Sequence, residues 1–148
     1  MAKSGDFMFS GEYNCKIDSK GRITFPSKLR DQLEGTTFFI TRGLERCIDL
    51  FTEEVWNEKI KKLSKLSMTN PKQRAYLRIF LSAATELTFD SQGRISIPKA
   101  LKEYANMKKE ITVTGINDRI EIWDTETWGV YLGESVLNYV EIAASLED

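Results

Sequence analysis

The sequence predicts a strand-rich α+β fold built from two tandem copies of one structural unit. Three observations predict it. Asp18-Ser-Lys-Gly-Arg22-Ile-Thr-Phe-Pro26 returns seventy-two residues later as Asp90-Ser-Gln-Gly-Arg94-Ile-Ser-Ile-Pro98. The register then holds without a gap: Leu29 falls on Leu101, Gly43 on Gly115, Ile48 on Ile120, Glu54 on Glu126 and Trp56 on Trp128, and eleven of the forty positions 17–56 are identical in the second copy. Within each copy, short stretches of alternating polarity bounded by turn residues alternate with stretches of helical period. A gapless repeat of this length is a duplicated unit. It implies a molecule with a pseudo-two-fold axis that displays both repeated loops from one chain.

The elements follow in order. Glu12–Ile17 places Tyr13, Cys15 and Ile17 on one face and Glu12, Asn14 and Lys16 on the other, a strand pattern. Asp18-Ser-Lys-Gly21 is turn chemistry, because Asp and Ser bond to nearby backbone and Gly accepts positive φ. Arg22–Phe25 reads as a second strand, making a hairpin with the first. Pro26 ends it, having no N–H for a ladder, and Ser27 is placed to cap a short helix through Leu33. Thr37–Thr41 and Cys47–Phe51 read as two further strands around a turn containing Gly43. Thr52 with Glu53 and Glu54 opens a helix, as a cap and first-turn acids should, and its apolar stripe is Trp56, Ile60 and Leu63. Asn70-Pro71 is a cap followed by Pro at the first helical position. The helix it opens should run to about Ala83, apolar around Tyr76, Leu77, Ile79, Phe80 and Leu81. The second copy repeats the scheme: strands Thr85–Phe89 and Arg94–Ile97, a helix Lys99–Ala105, strands Glu110–Thr114 and Arg119–Trp123, and a helix from about Thr125. Val136–Leu146 reads as a short acidic helix, for packing or a partner contact.

Composition bounds the class. At 148 residues, 41% hydrophobic and 29% charged, the chain suits a soluble globular protein, and a domain of this size buries roughly 68–70% of its unfolded surface without staples. No apolar run approaches the roughly 18 residues of a membrane span. The first residues lack the apolar stretch of a signal peptide. Cys15 and Cys47 have no metal-binding or redox spacing, so both are expected to be buried thiols in a cytoplasmic protein. No metal or other cofactor is expected.

The net charge of −1 hides a strong segregation. Lys16, Lys20, Arg22, Lys28 and Arg30 stand against Asp18 alone in residues 16–30. Residues 59–78 carry seven cations and no acid, whereas the chain from Asn117 onward carries eight acids and one base, Arg119. Segregated charge gives a near-neutral chain a basic face. The first basic run coincides with the repeated loop. At a hairpin tip, Lys20 and Arg22 would meet phosphate, and a two-stranded ribbon fits a major groove of roughly 12 Å. Arg22 and Arg94, each a planar fork, could bond a guanine edge in two places. Asp18 and Asp90 repel phosphate, so they are assigned to bonding the turn backbone or orienting the arginine, with Gly21 and Gly93 letting the chain turn. Lys16, Lys28, Arg30 and Lys99 are candidate accessory phosphate contacts.

Other readings compete. Each Asp–Arg pair could be a solvated cross-turn salt bridge, worth little. The apolar tail residues Val136, Leu137, Val140 and Ile142 could bind a protein partner, as in an antitoxin-like or scaffold module. An RNA-binding regulator would need exposed aromatics for stacking, and neither loop tip has one. An enzyme is disfavoured: the chain has no His, the repeated motif has no nucleophile beside a base, and no Gly-rich phosphate loop follows a strand. A magnesium ion on Asp18 or Asp90 would be opposed by the adjacent arginine.

From about Met8 the chain resembles the MraZ family. The likeness is carried by Met8-Phe-Ser-Gly-Glu12, both Asp-x-x-x-Arg motifs with their trailing Pro, Ile40-Thr-Arg-Gly-Leu44, Phe80-Leu-Ser-Ala83 and Asp118-Arg-Ile-Glu-Ile-Trp123. It covers about residues 8–132. Gln92 stands in the second copy where the first has Lys20, and seven residues precede the usual start, so Met8 is a candidate natural initiator. The resemblance implies two AbrB-type swapped-hairpin modules forming an intramolecular pseudo-dimeric barrel with peripheral helices. It implies the division 1–8 extension, 9–56 first repeat, 57–80 helical connector, 81–128 second repeat and 129–148 helical tail. It also implies a ring homo-oligomer that binds short repeated boxes of double-stranded DNA upstream of the division and cell-wall operon, which includes its own gene, and represses it, in the cytoplasm and at the nucleoid. The DNA contacts would fall on Lys20, Arg22, Gln92 and Arg94, with Asp18, Gly21, Asp90 and Gly93 orienting the loops.

Overall fold

The computed structural model describes residues 8–146; Met1 to Phe7, the segment ahead of the candidate initiator, lie outside the described residues. Eight strands and six helices follow in the order β1 (Glu12–Lys16), β2 (Arg22–Thr24), α1 (Ser27–Leu33), β3 (Phe38–Arg42), β4 (Ile48–Thr52), α2 (Glu53–Leu63), α3 (Pro71–Ser82), β5 (Thr85–Leu87), β6 (Arg94–Ser96), α4 (Lys99–Tyr104), β7 (Glu110–Ile116), β8 (Arg119–Asp124), α5 (Thr125–Leu137) and α6 (Tyr139–Ala144). Apart from the acidic tail helix, the expected elements are present, with ends moved by a residue or two.

The pairing of strands differs from the expected hairpins. β1 does not form a ladder with β2. It pairs antiparallel with β7 of the second copy, Glu12 opposite Thr114 and Lys16 opposite Glu110. β5 of the second copy likewise pairs with β3 of the first. The main sheet runs β1-β7-β8-β4-β3-β5, and β2 pairs with β6 in a separate two-stranded ribbon. The expected closed barrel is therefore not formed by these ladders: the sheet is open, with β1 and β5 at its edges. Exchange of the copies maps this strand order onto itself. The axis passes between Asp49 and Glu121, opposite each other on β4 and β8, and between Ile23 and Ile95, opposite each other on β2 and β6.

One core unites the two copies. Ile23, Phe25, Leu29 and Leu33 from the first unit pack with Ile95, Ile97, Leu101 and Ala105 from the second, together with the inner faces of β3, β4, β7 and β8. A second cluster gathers Phe51, Trp56 and Phe80 beneath α2 and α3, where the Trp56 ring stacks on Phe39 at 4.9 Å. The repeat builds its counterpart from Trp123, Trp128 and Tyr131. Trp128 Nε1 also donates to Glu12 on β1 (2.9 Å), tying the last long helix to the first strand.

Local signals acted largely as expected. Thr52 caps α2, its hydroxyl accepting from the Val55 N–H at 3.4 Å. Asn70 Oδ1 caps α3, accepting from the N–H groups of Lys72 and Gln73 at 3.0 and 3.1 Å. Ser27 does not cap α1. Pro26 holds the N-cap position (φ −56°, ψ 132°) and Ser27 is the first helical residue. The Pro26 carbonyl accepts from Leu29 and Arg30, so the helix starts without a side-chain cap. On α3, Phe80 is buried while Tyr76, Ile79 and Leu81 stay exposed. The acidic tail helix is two elements: α5 continues through Leu137 and α6 follows after Asn138.

Candidate nucleic-acid interface

The repeated loops have one geometry, built by their aspartates. Asp18 Oδ1 accepts from the backbone N–H groups of Lys20 and Arg22, both at 2.9 Å. Its other oxygen accepts from Arg22 Nε at 2.8 Å. Asp90 repeats the set with Gln92 N–H (2.8 Å), Arg94 N–H (2.9 Å) and Arg94 Nε (2.9 Å). The bond from the arginine's backbone N–H, then its guanidinium and the second backbone N–H, hold both carboxyls below the usual carboxylate value against some desolvation. Gly21 and Gly93 sit at φ +78° and +72°, where a side chain would be strained. Each turn is closed by the glycine N–H on the Asp carbonyl at 3.0 Å.

The arginines are oriented without being used up. Among the described residues each guanidinium engages its aspartate only through Nε. Nη1 and Nη2, the pair that grips a carboxylate, phosphate or guanine edge, have no hydrogen-bond partner among the described residues. A solvated salt bridge is worth little as stability; its use here is to fix a rotamer-rich side chain in advance.

The ribbon then sets the spacing. Arg22 lies opposite Ser96 and Thr24 opposite Arg94, with Ile23 opposite Ile95 at the centre. Side chains alternate along a strand and directly opposed residues share a face. Ile23 and Ile95 are buried, so Arg22, Thr24, Arg94 and Ser96 occupy the outer face. Diagonal neighbours in such a pair are about 7–8 Å apart. The ribbon is thus made by the two copies together, not by a hairpin within each, and each copy contributes one of its two arginines. Thr24 and Ser96, not singled out from the sequence, share that surface. Their signal was the alternation around Ile23 and Ile95.

The remaining candidates lie on other elements or at the turns. Lys20 and Gln92 are exposed at the two turns, and Lys16, Lys28 and Lys99 are exposed on β1, α1 and α4. Arg30 is half-buried, and its Nη1 donates to the Phe25 carbonyl at 3.4 Å.

A separate charged cluster lies at the other passage of the pseudo-two-fold axis. Cys47, Asp49 and Glu121 bring ligand-type atoms within 4.8 Å of one another. Arg119 already supplies positive charge there, with Nε 3.6 Å from Asp49 and Nη2 3.0 Å from Glu121. Burial pushes the Cys47 thiol up strongly, aided by Asp49 and Glu121, so it stays protonated. Burial also raises Asp49 to about 6, opposed by Arg119 and reinforced by Glu121. The group reads as a half-buried ion-pair network. Both cysteines are free, Cys47 buried and Cys15 half-buried.

Among the described residues no helix is long and apolar enough to cross a membrane. Comparison with known proteins matches one family model twice, at residues 8–79 and 80–146, described as "MraZ protein, putative antitoxin-like". Proteins named Transcriptional regulator MraZ are similar over nearly the whole chain. Those of Halothermothrix orenii, Alkaliphilus metalliredigens and Finegoldia magna are 47%, 46% and 44% identical, each over 95% of this chain and 98% of the relative. With one match on each copy of its internal repeat, the chain belongs to the MraZ family.

Proposed function

We propose that the protein is a sequence-specific, double-stranded-DNA-binding transcriptional regulator. In this reading it represses the division and cell-wall operon that includes its own gene, from the cytoplasm and nucleoid, and has no catalytic role. The observation that carries the reading is the pair of aspartate-held arginines on one exposed ribbon face, with no partner for Nη1 or Nη2 of either among the described residues. Exchange of β1 and β5 between the copies supports a swapped-hairpin module pair acting as an intramolecular pseudo-dimer. A two-stranded ribbon fits a major groove roughly 12 Å wide, where a fork-shaped guanidinium reads guanine O6 and N7. Lys20 and the exposed lysines nearby add phosphate attraction.

One chain is a weak grip, with a net charge of −1. We read the functional unit as a ring homo-oligomer on repeated boxes, where linked sites gain roughly 10²–10⁴ in avidity. The exposed apolar tail and the basic, partly apolar α2–α3 pair support self-association. Leu137 is 85% and Val140 82% exposed on the tail, beside Glu134 and Glu141, while Tyr76 and Ile79 are exposed on α3 among lysines and arginines. Head-to-tail contacts between unlike surfaces close into rings when the rotation allows.

The test is an electrophoretic shift with the protein's own upstream DNA against a scrambled duplex. The Arg22→Ala, Arg94→Ala double variant should lose the specific shift with unchanged circular dichroism. Full specific binding by that variant would refute the reading. The same tail favours a second one, a protein-binding antitoxin-like module, which a stoichiometric co-purifying partner in place of DNA binding would support.

A further inference from the structure

The two loops are not equivalent, and the difference lies in what stands beside the turn glycine. At the second loop, a Cβ placed on Gly93 would collide with Arg30 Nη1, and would come within 2.7 Å of Arg30 Cδ and 3.0 Å of its Cζ. The Arg30 guanidinium therefore lies directly against Gly93. It gets there from α1 of the first module, across the pseudo-two-fold axis. Phe25 is the link: its N–H donates to the Gly93 carbonyl at 3.1 Å, and its own carbonyl accepts from Arg30 Nη1 at 3.4 Å.

The first loop has no such neighbour. Ile97, the counterpart of Phe25, does donate to the Gly21 carbonyl at 2.8 Å. Yet a Cβ on Gly21 would meet only the Ile97 carbonyl oxygen, at 3.4 Å. Lys102, the counterpart of Arg30, does not reach that glycine. The turn residues show the opposite inequality, with Lys20 in the first loop and uncharged Gln92 in the second. The two loops thus gain a cation by different routes: Lys20 comes from the first turn itself, and Arg30 is lent to the second turn by the other module.

Arg30 makes no salt bridge among the described residues, and its half-buried guanidinium lies against Gly93, the residue before Arg94. A nearby opposite charge favours a charged group, and Asp90, the carboxylate of this loop, is already engaged by Arg94 Nε at 2.9 Å, which leaves the Arg30 charge for an incoming anion. A guanidinium offers two parallel donors to the oxygens of one phosphate, where an ammonium offers a point charge. We infer that Arg30 forms, with Gln92 and Arg94, a composite site for one backbone phosphodiester of DNA at the second loop, which neither module possesses alone. This rests on the DNA-binding reading above.

The experiment is a salt titration of affinity for the upstream duplex, by fluorescence anisotropy, with wild type, Arg30→Met, and Arg30→Met combined with Gln92→Lys. Methionine keeps much of the apolar stem and removes the charge. Removing one cation–phosphate pairing flattens the log–log salt slope by about 0.9. Arg30→Met should therefore lower the slope by about 0.9 per engaged second loop, with about equal weakening on specific and scrambled duplexes. Gln92→Lys should restore the slope by returning a cation to the turn. A wild-type slope in Arg30→Met, while DNA is still bound, would overturn the inference and leave the DNA-binding reading standing. So would a flattened slope that Gln92→Lys fails to restore, since Arg30 would then act only through loop shape. Failure of wild type to prefer its upstream duplex would instead remove the reading on which the inference rests.

Discussion

Replacing Asp49 by Asn should stabilise the protein near neutral pH and do so less and less as the pH falls. Asp49 lies on β4 opposite Glu121, its side chain only 13% exposed. Its carboxyl is raised from 3.8 to about 6, chiefly by burial, with Arg119 opposing from 3.6 Å and Glu121 adding repulsion. A folded-state value above the unfolded one means that the folded state holds the proton more tightly. The associated stability is complete below the unfolded value near 4 and is lost as pH rises through about 6. At about 1.4 kcal/mol per pH unit, ionising Asp49 in place costs about 3 kcal/mol by pH 7. Asn cannot ionise, so it escapes that loss. The stability difference, Asp49→Asn minus wild type, should grow by up to about 3 kcal/mol between pH 4 and pH 7. At roughly 2–4 °C per kcal/mol for a chain of this size, the relative Tm should move by about 6–12 °C. The assay is thermal and urea unfolding of both proteins across that window, at one protein concentration because any self-association would couple to stability. Taking the difference removes carboxylates such as Asp124, whose value is lowered and whose contribution has the opposite sign. A difference independent of pH, or one that shrinks as pH rises, would refute the argument: the Arg119 pairing would then outweigh burial.

Three further outcomes follow from other parts of the molecule. A duplex with three boxes at helical-turn spacing should bind far more tightly than one with a single box, and moving a box by roughly 5 bp should lose most of the gain; equal affinities in a gel-shift series would dismiss the multivalent ring. Val140→Asp on the exposed face of α6 should shrink the assembly in sedimentation while leaving helix content unchanged, and an unaltered species would exclude this face from self-association. Gly115→Ala should be among the most disruptive small substitutions, because the added carbon would collide with the Ser10 N–H and lie 2.6 Å from the Phe9 carbonyl carbon; displacing buried Phe9, which is hydrogen-bonded both ways with Asn117 at 2.8 Å, should cost about 3–5 kcal/mol in urea unfolding, as truncating a core Phe does.

What could be read in the sequence was local. The Asp-x-x-x-Arg loops, the caps at Thr52 and Asn70 and the alternation about Ile23 and Ile95 each depend on neighbours a few residues away, and each took the form its chemistry demanded. The partner of a strand is a different kind of information. The pattern of Tyr13, Cys15 and Ile17 fixes which face of β1 turns inward. It does not say whether the ladder forms with β2, a few residues after Ile17, or with β7, far along the chain. The structure chose β7 for β1 and β6 for β2, and the second pairing puts both arginines on one ribbon. Ser27 misled because a serine after a strand looks like a cap, whereas Pro26 already fills that position with its own carbonyl. The place of Arg30 was beyond any pattern, since it depends on an empty volume at Gly93 that appears only when the two halves meet.

The Asp49–Glu121 pairing on the axis shows what fusing two copies makes possible. In a dimer of identical chains every substitution is made twice, and a residue on the axis faces itself. Two acidic side chains there would be neutralised by two arginines or by none. In this chain the position that is Arg119 in one half is Cys47 in the other, so a single guanidinium serves both acids. Fusion converts a symmetry constraint into two independently heritable sites. Each half can drift toward a separate role while the other preserves the shared scaffold, and one-sided charges such as Arg119 and Lys20 are the trace of that freedom.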